Sequence, residues 1–375
     1  MSALAQGKGR AAAAPTITSR PWGSSGGQAV RLYTLSNGHM KANITNFGGI
    51  IQSISAPDRN GKLADVTLGF KNLAGYVKND ATKQPTGGSG TTYFGATIGR
   101  YANRIAKGTF KLDGKRYHLP INNGVNTLHG GTNAWNKRVW TAKTTTGTAG
   151  ASLQLTYISP NKQDGFPGRV VATVTFTLGA SNKLTIQYHA TTDAPTVINM
   201  TNHSYFNLDG EASGTVYAQK LMINANKFTP TDATQIPTGK FVPVAGTPMD
   251  FRTLKPIGRD INSSYRQLVL AHGYDHNWVI NKGAGLGLAA RAVDPTSGRV
   301  LTAYTTEPGV QVYTGNFMVG ELVGTSGHTY RQSDGFTLET QHYPNSPNQA
   351  NFPSTTLNPG TPFNSTTVFS FSTAK

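Results

Sequence analysis

Short stretches in which hydrophobic and polar residues alternate follow one another along most of the chain. The clearest are residues 169–178 and 183–190, which are also rich in β-branched side chains. A repeat of two places successive side chains on opposite faces of a sheet, so each stretch predicts a strand with one buried face. Partial alternation predicts further strands at 30–35, 40–45 and 152–157.

The stretch 108–119 predicts a β-hairpin, because alternating arms flank the dipeptide Asp113-Gly114, a strong signal for a two-residue hairpin turn. Helical periodicity is almost absent, and short helical turns are expected only near 73–77 and 265–268. No segment repeats at a fixed interval of about 20–50 residues, which argues against a propeller or a solenoid. The pattern therefore predicts an all-β protein with a large antiparallel β-sandwich.

The first 27 residues differ from the rest of the chain. They are rich in Ala, Gly and Ser and show no hydrophobic period, which is typical of a flexible tail. We therefore expect a flexible tail over residues 1–27 and a single domain over residues 28–375. Because Ala3-Leu4-Ala5 resembles the end of a signal-peptide cleavage site, export to an extracellular or periplasmic location is expected, with a cytoplasmic location as the alternative.

Composition narrows the classes of function. The net charge is +17, from 34 Lys and Arg against 17 Asp and Glu, but the basic residues are scattered and accompany no nucleic-acid-binding motif. We therefore expect no nucleic-acid partner, and at most a weak association with anionic surfaces such as polysaccharides. No apolar run approaches the roughly 20 residues of a membrane-spanning helix. The chain has no cysteine, which excludes disulfides, thiolate metal sites and cysteine nucleophiles.

Three runs place a histidine among hydroxyl, amide or acidic side chains. They are residues 126–131 with His129, 198–208 with His203, and 338–344 with Glu339 and His342. An imidazole titrates near neutral pH, and its neighbours supply the mixed donors and acceptors that a polyhydroxylated ligand needs. A single histidine in such a pattern is more often structural, but three similar runs together favour a functional site.

These three runs, read together, resemble the aldose 1-epimerases (galactose mutarotases). Further blocks that match in the order of that family are residues 46–49, 93–100, 103–105, 164–168, 274–277 and 309–317. The resemblance extends from about residue 28 to the C-terminus. It implies the large β-sandwich of that family (the galactose mutarotase-like supersandwich), with a concave face that holds the sugar. The implied activity is interconversion of the α and β anomers of free hexoses such as glucose and galactose.

This reaction opens the sugar ring and closes it again, which requires a general base and a general acid and no redox step. The resemblance therefore implies no cofactor and no metal, and a free aldose as the substrate. It assigns Glu339 as the base at the anomeric hydroxyl, His203 as the acid at the ring oxygen, and His129 as a second group near that oxygen. The side chains expected to bind the sugar hydroxyls are Arg104, Asn103, Asp275 and Gln311.

The residues also support an independent, more cautious interpretation. Glu339 has the strongest case, because a carboxylate between the apolar residues of a strand is costly without partners. Arg104 alone would be a surface strand residue, and Asp275 beside His276 would be a simple turn or a metal pair. Three aromatic residues are candidates either for stacking on a sugar face or for core packing: Trp135, Phe206 and Tyr343.

Three other functions stay open at this point. Epimerisation of a phosphorylated hexose would need two or three Arg or Lys side chains around one phosphate, and the motifs supply only Arg104. A non-catalytic sugar-binding protein would need no matched acid and base. A glycoside hydrolase needs a pair of carboxylates, and the motifs offer only Glu339 with Asp275. The long segment 80–92 is expected to shape the rim of the cleft and hence the range of substrates.

Overall fold

A computed structural model describes residues 14–81 and 91–374. Strands joined by short connections dominate this part of the chain, which also has two α-helices, α1 (Leu73–Ala81) and α2 (Arg266–Ala271). Single 3₁₀ turns lie at Ala106–Gly108, Trp135–Lys137, Gln163–Gly165, Val216–Ala218, Ile257–Arg259 and Ser346–Asn348. The strands in chain order are β1 (Thr16–Ser25), β2 (Gln28–Ser36), β3 (Lys41–Thr45), β4 (Ile50–Pro57), β5 (Leu63–Asp65), β6 (Thr97–Ile98), β7 (Arg104–Ile105), β8 (Thr109–Leu112), β9 (Lys115–His118), β10 (Thr127–Leu128), β11 (Thr141–Gly147), β12 (Gly150–Ser159), β13 (Val170–Leu178), β14 (Lys183–Thr192), β15 (Thr196–Val197), β16 (Thr201–Asn202), β17 (Tyr205–Phe206), β18 (Lys220–Ile223), β19 (Ala225–Thr229), β20 (Val242–Pro243), β21 (Lys255–Pro256), β22 (Asp275–Ile280), β23 (Gly287–Val293), β24 (Arg299–Thr305), β25 (Gly309–Tyr313), β26 (Val319–Val323), β27 (Thr329–Arg331), β28 (Phe336–Gln341), β29 (Thr356–Leu357) and β30 (Phe363–Thr373).

One layer of the fold is a nine-stranded sheet in the order β11-β12-β13-β14-β30-β24-β23-β18-β21. Its strands pair antiparallel throughout. Along β13, buried residues alternate with partly exposed ones over the whole strand, as the repeat of two requires when one face packs on a core and the other meets solvent.

The second layer consists of two sheets that continue into each other. A five-stranded sheet has the order β1-β2-β3-β4-β5, and a six-stranded sheet has the order β17-β28-β25-β22-β19-β20. They join where Thr67 bridges Phe206 and where the backbone N–H of Leu68 donates to the carbonyl of Tyr205 at 3.0 Å. This junction makes one extended surface opposite the nine-stranded sheet.

The main hydrophobic core fills the space between the two layers. Phe206 of the six-stranded sheet packs edge-on against Phe369 of the nine-stranded sheet, with ring centroids 5.1 Å apart. Ile44 and Ile51 of the five-stranded sheet belong to the same buried cluster as Leu155. The prediction of an all-β antiparallel sandwich is therefore confirmed, and strands lie at each of the alternating stretches described above.

The predicted flexible tail is wrong for residues 14–27. Thr16–Ser25 forms β1, which pairs with β2 from Thr16 opposite Ser36 to Ser25 opposite Gln28. The side chain of Trp22 is buried and packs against Tyr76 of α1, with ring centroids 5.8 Å apart. Strand pairing and one buried aromatic residue order this segment although its own sequence has no hydrophobic period. Residues 1–13 lie outside the described residues.

Two local predictions concern the hairpin at 108–119 and the segment 80–92. The hairpin is confirmed as β8 and β9, and Asp113 and Gly114 both have positive φ, 49° and 75°, as a type I′ turn requires. The segment 80–92 lies largely outside the described residues, but its described end reaches the site, since Thr91 and Thr92 line the cavity described below.

Among the described residues, no helix has the length and apolar character needed to cross a membrane.

Alternation along the six-stranded sheet decides where functional side chains can lie. On β28, Phe336 and Leu338 point into the core between the layers, so Thr337 and Glu339 point to the opposite face. On β25, Val310 and Val312 belong to the same core cluster, which places Gln311 on the face of Glu339. This outer face of the second layer is the floor of the site.

Candidate active site

A cavity of about 400 Å³ lies on the outer face of the six-stranded sheet. Its floor comes from β22, β25 and β28, and its walls come from the segments around β7, β10 and β17 and from a loop near residue 234. The lining residues are Thr91, Thr92, Tyr93, Asn103, Arg104, Asn123, Gly124, Val125, Asn126, Leu128, His129, His203, Tyr205, Ala233, Thr234, Gln235, Asp275, Tyr313, Phe317, Met318 and Glu339. Six of the seven sequence-predicted site residues are among them.

His203 reaches the cavity from the end of β16, which pairs with β6. Its backbone is held on both sides, since its N–H donates to the carbonyl of Ala96 at 2.9 Å and its carbonyl accepts from Gly95 at 3.0 Å. Gly95 is required at that point, because it has a φ of 66° and a Cβ there would lie 1.9 Å from the carbonyl oxygen of Ile51. Close backbone packing thus fixes the histidine.

His129 is locked to Asn103 by two reciprocal bonds. The N–H of His129 donates to the carbonyl of Asn103 at 3.0 Å, and the N–H of Asn103 donates to Nδ1 of His129 at 3.1 Å. The second bond places the proton of a neutral imidazole on Nε2. Burial holds the pKa of His129 well below its ordinary value, and the neighbouring His203 lowers it further. His129 is therefore a neutral hydrogen-bond donor at this place.

Four residues that line the cavity adopt left-handed backbone conformations although none is glycine. They are Tyr93 with φ of 57°, Asn103 with 61°, His129 with 50° and Gln235 with 62°. Such residues are uncommon and cluster at functional sites, where the surrounding structure compensates their cost. The reciprocal bonds between Asn103 and His129 supply that compensation for two of the four.

Glu339 and His203 form the central pair of the cavity. Their Oε1 and Nε2 atoms are 3.4 Å apart, and both side chains are buried. Burial raises the pKa of Glu339 to about 8, with a further increase from the charge of Asp275, whereas burial lowers the pKa of His203 to about 3. Between these two values the pair holds a single proton, which either group can carry.

A second set of contacts orders the binding groups around Asp275. Nη1 of Arg104 lies 3.5 Å from Oδ2 of Asp275, and Nε2 of Gln311 donates to Oδ1 at 2.6 Å. The Nε–H of Arg104 donates to Oδ1 of Asn123 at 3.0 Å. Gln311 thus lies behind Asp275 and does not line the cavity, so its contact in this structure is with the carboxylate. Its predicted role as a sugar ligand stays a prediction.

The site contains side chains of the types that bind metals. The ligand atoms of His129, His203 and Glu339 all lie within 4.8 Å of one another, and two histidines with a glutamate form a known zinc ligand set. The alternative pair of Asp275 with His276 is not supported. His276 points to the other face of β22, where its ring contacts Phe228 at 6.1 Å between centroids.

The aromatic wall of the cavity contains none of the three aromatic candidates named from the sequence. The aromatic residues that line the cavity are Tyr93, Tyr205, Tyr313 and Phe317. The three candidates named from the sequence lie elsewhere: Trp135 and Phe206 are in the main core, and Tyr343 packs against Phe241 and Phe352. Alternation could have identified Tyr313, because it lies two residues after Gln311 on the same face of one strand.

The chain is similar to known sugar epimerases over most of its length. The family model described as aldose 1-epimerase matches residues 31–370. The chain is 42% identical over 350 residues to galactose mutarotase of Rattus norvegicus, covering 93% of this chain and 96% of that protein. It is 35% identical over 349 residues to aldose 1-epimerase of Escherichia coli (strain K12), covering 92% and 96%.

Solved structures agree with this result. Galactose 1-epimerase from Lactobacillus acidophilus NCFM superposes with a TM-score of 0.82 at 26% identity, covering 96% of this chain and 99% of that one. The GalM/aldose epimerase homologue from C. elegans superposes with a TM-score of 0.79 at 31% identity, covering 90% and 96%. On sequence, fold and match length together, this chain belongs to the aldose 1-epimerase family.

Proposed function

We propose that this chain interconverts the α and β anomers of free galactose, glucose and related aldohexoses, with Glu339 and His203 as its proton-transfer pair. Family membership makes the chain an aldose 1-epimerase, a carbohydrate isomerase. The observation that carries the assignment of residues is the buried pair itself, with 3.4 Å between Oε1 and Nε2 inside a cavity of about 400 Å³. Two groups that share one proton are what a reversible ring opening requires.

The ring opens when Glu339 as carboxylate removes the proton of the anomeric hydroxyl and His203 as imidazolium gives its proton to the ring oxygen. The bond from C1 to the ring oxygen breaks, and C1 becomes an aldehyde carbon. The pair has then changed from carboxylate and imidazolium to carboxylic acid and imidazole. It has neither gained nor lost a proton, so no exchange with solvent is needed during the step.

The ring closes by the reverse transfer after rotation about the C1–C2 bond. His203, now neutral, takes the proton from the hydroxyl that becomes the ring oxygen, and Glu339 returns its proton to the aldehyde oxygen. The new anomer leaves, and the pair is again in its starting form. Each cycle therefore uses both proton arrangements. For this reason a carboxyl whose pKa lies above that of its imidazole partner can still serve the reaction.

The remaining groups bind and orient the sugar. His129 presents an Nε2–H donor, which suits the ring oxygen or a neighbouring hydroxyl, because its other nitrogen is occupied by the N–H of Asn103. Both oxygens of Asp275 have partners, Arg104 and Gln311, which fix the side chain as a hydrogen-bond acceptor for hydroxyl groups. The tyrosine-rich wall offers apolar surface to the sugar ring.

Features of the cavity argue against the rival functions. Arg104 is the one Lys or Arg among the cavity-lining residues of the described chain, too few for a phosphate clamp. A glycoside hydrolase would need Asp275 free to act with Glu339, whereas Arg104 and Gln311 hold it. A binding protein without catalysis would have no use for a buried pair that shares a proton.

The value of kcat/KM is expected to fall as the pH rises through about 8. Below that pH the pair of the free enzyme keeps its one proton, because the pKa of Glu339 is about 8. Above it the pair becomes carboxylate and neutral imidazole, and no acid remains for the ring oxygen. The measurement is mutarotation by polarimetry from pH 5 to pH 9.5, after subtraction of the spontaneous rate. A rate that still rises across pH 8 would contradict the shared proton.

Dialysis against a strong chelator is expected to leave the rate of mutarotation unchanged, because the proposed steps transfer protons between side chains only. Rates before and after dialysis, and after addition of zinc or manganese, are compared in the same buffer. If chelation abolished the activity and a metal restored it, the set of His129, His203 and Glu339 would have to be assigned to a metal ion.

A further inference from the structure

The two oxygens of Glu339 have different surroundings. Oε1 accepts a hydrogen bond from Oγ1 of Thr337 at 2.9 Å and lies 3.4 Å from Nε2 of His203. Oε2 is buried and has no hydrogen-bond partner among the described residues. A buried carboxylate oxygen without a partner is costly. The asymmetry therefore marks Oε2 as the oxygen of Glu339 that, within the described part of the chain, still has its acceptor capacity unused.

The position of Thr337 is fixed by the sheet. It lies two residues before Glu339 on β28, and a spacing of two puts both side chains on the same face. Its cross-strand neighbours are Tyr313 on β25 and Tyr205 on β17, and the rings of these two tyrosines are 5.9 Å apart. Thr337 is fully buried between them. A β-branched side chain in such a place has little rotamer freedom.

We infer that Thr337 is a positioning residue which keeps Oε1 of Glu339 engaged and thereby assigns Oε2 as the oxygen that exchanges the proton with the anomeric hydroxyl. The inference rests on the proposed function, since it refines the role of Glu339. The hydroxyl of Thr337 donates to Oε1, so that the carboxylate cannot turn to present both oxygens to His203 or to the sugar. Oε2 is then held in one orientation with its acceptor capacity unused by the described residues.

The same hydrogen bond has an electrostatic consequence. A donor to a carboxylate favours its charged form, so the bond from Thr337 lowers the pKa of Glu339 against the larger increase caused by burial. Loss of the bond would make the carboxylate and imidazolium form of the pair rarer. A smaller population of that form lowers kcat. Part of the decrease in kcat is offset because a carboxylate of higher pKa is a stronger base, so only a moderate fall is expected.

Other charged or titratable groups also face Glu339, and they stay unchanged in the test. They are Asp275 on β22, Arg104 on β7, His203 after β16, His129 after β10, Tyr205 on β17 and Tyr313 on β25. A change that follows substitution of Thr337 alone can therefore be attributed to its hydroxyl, provided that a substitution elsewhere on the same strand has no such effect.

The test compares Thr337→Val, which keeps the shape and removes the donor, with Thr337→Ser, which keeps the donor. Thr340→Val is the matched control, because Thr340 is buried on the same strand and its hydroxyl meets Thr367 on the opposite face. The chain has only four glutamates, Glu211, Glu307, Glu321 and Glu339. Carbon-13 labelling of glutamate carboxyls therefore allows a direct NMR titration of Glu339, with its signal assigned by Glu339→Gln.

Thr337→Val is expected to raise the pKa of Glu339 by about one unit and to lower kcat about three- to tenfold, the scale of one ordinary hydrogen bond. KM for galactose should change less than about twofold, because the sugar contacts remain. Thr337→Ser and Thr340→Val are expected to match the parent chain in both measurements. If Thr337→Val does not fold, Thr337→Ala set against Thr337→Ser gives the same comparison.

Three results would overturn the inference. One is a Thr337→Val chain in which the pKa of Glu339 and the value of kcat both equal those of the parent chain. Another is a Thr340→Val chain with the same rise in the pKa of Glu339 and the same fall in kcat. Such a result would show that Thr337 acts only through packing. If Glu339→Gln is inactive in either case, the proposed function stands and only the positioning role is lost. The third is a folded Glu339→Gln chain with full activity, which removes the base itself and the proposed proton-transfer pair with it.

Discussion

Replacement of Glu339 by Gln, or of His203 by Asn, is expected to lower kcat for mutarotation at least about 100-fold, the usual scale for removal of a general acid or base. Each change removes one of the two groups that exchange protons with the sugar in the proposed mechanism. The fold should persist, because Gln has the shape of the uncharged carboxyl that burial favours at Glu339. The rate is measured by polarimetry on freshly dissolved α-D-glucose and α-D-galactose.

The chain offers a matched control for this experiment. Glu307 and His342 form a second, partly buried contact between a carboxylate and an imidazole, with 2.6 Å between Oε2 and Nδ1, and neither residue lines the cavity. Glu307→Gln is expected to leave kcat within about twofold of the parent value, because it removes a comparable contact remote from the sugar. A folded Glu339→Gln chain with near-parental mutarotation would refute the assignment of the base.

A chain that begins at Gln28 is expected to lose at least about 3 kcal/mol of unfolding free energy, because deletion of β1 removes a buried tryptophan as well as a strand. The contacts of Trp22 with α1 disappear, and the edge of β2 loses its hydrogen-bonded partner. Such a loss is a large part of the total stability of an ordinary domain. Denaturant unfolding followed by tryptophan fluorescence and circular dichroism measures it.

A measurement of activity distinguishes a loss of stability from damage to the active site. Residues of β1 do not line the cavity, so the folded fraction of the shortened chain should keep kcat/KM within about threefold of the parent. A chain that begins at Ala14 keeps β1 and is the control for removal of the residues that precede it. An equally stable chain that begins at Gln28 would show that β1 adds nothing to the sandwich.

The strands with one buried face could be predicted from the sequence, because their side chains alternate between core and solvent. β13 is the clearest example, since its buried and partly exposed residues alternate without interruption. β1 could not be predicted in this way. It is an edge strand with most side chains exposed on both faces, so no hydrophobic period marks it. Pairing with β2 makes it a strand, and pairing is a property of the folded chain.

The site, too, has residues that could be predicted from the sequence and others that only the structure reveals. Resemblance and residue chemistry named Glu339, His203, His129, Arg104, Asn103, Asp275 and Gln311 from the sequence alone, and the structure brings six of them to one cavity with Gln311 directly behind. The other aromatic residues of the wall, Tyr93, Tyr205 and Phe317, could not be assigned to the cavity from the sequence. Their place depends on which segments lie beside one another: the pairing of β28 with β17 and β25 is what brings Tyr205 and Tyr313 next to Thr337.

The sequence by itself thus determined the class of fold and the family, and it supplied the candidates for the proton-transfer groups. The tertiary structure alone decided that Glu339 and His203 meet with 3.4 Å between Oε1 and Nε2 and that both are buried. Burial is what moves their pKa values to about 8 and about 3 and leaves one proton for the pair. Desolvation depends on every atom packed around a group, and no local pattern of residues records it.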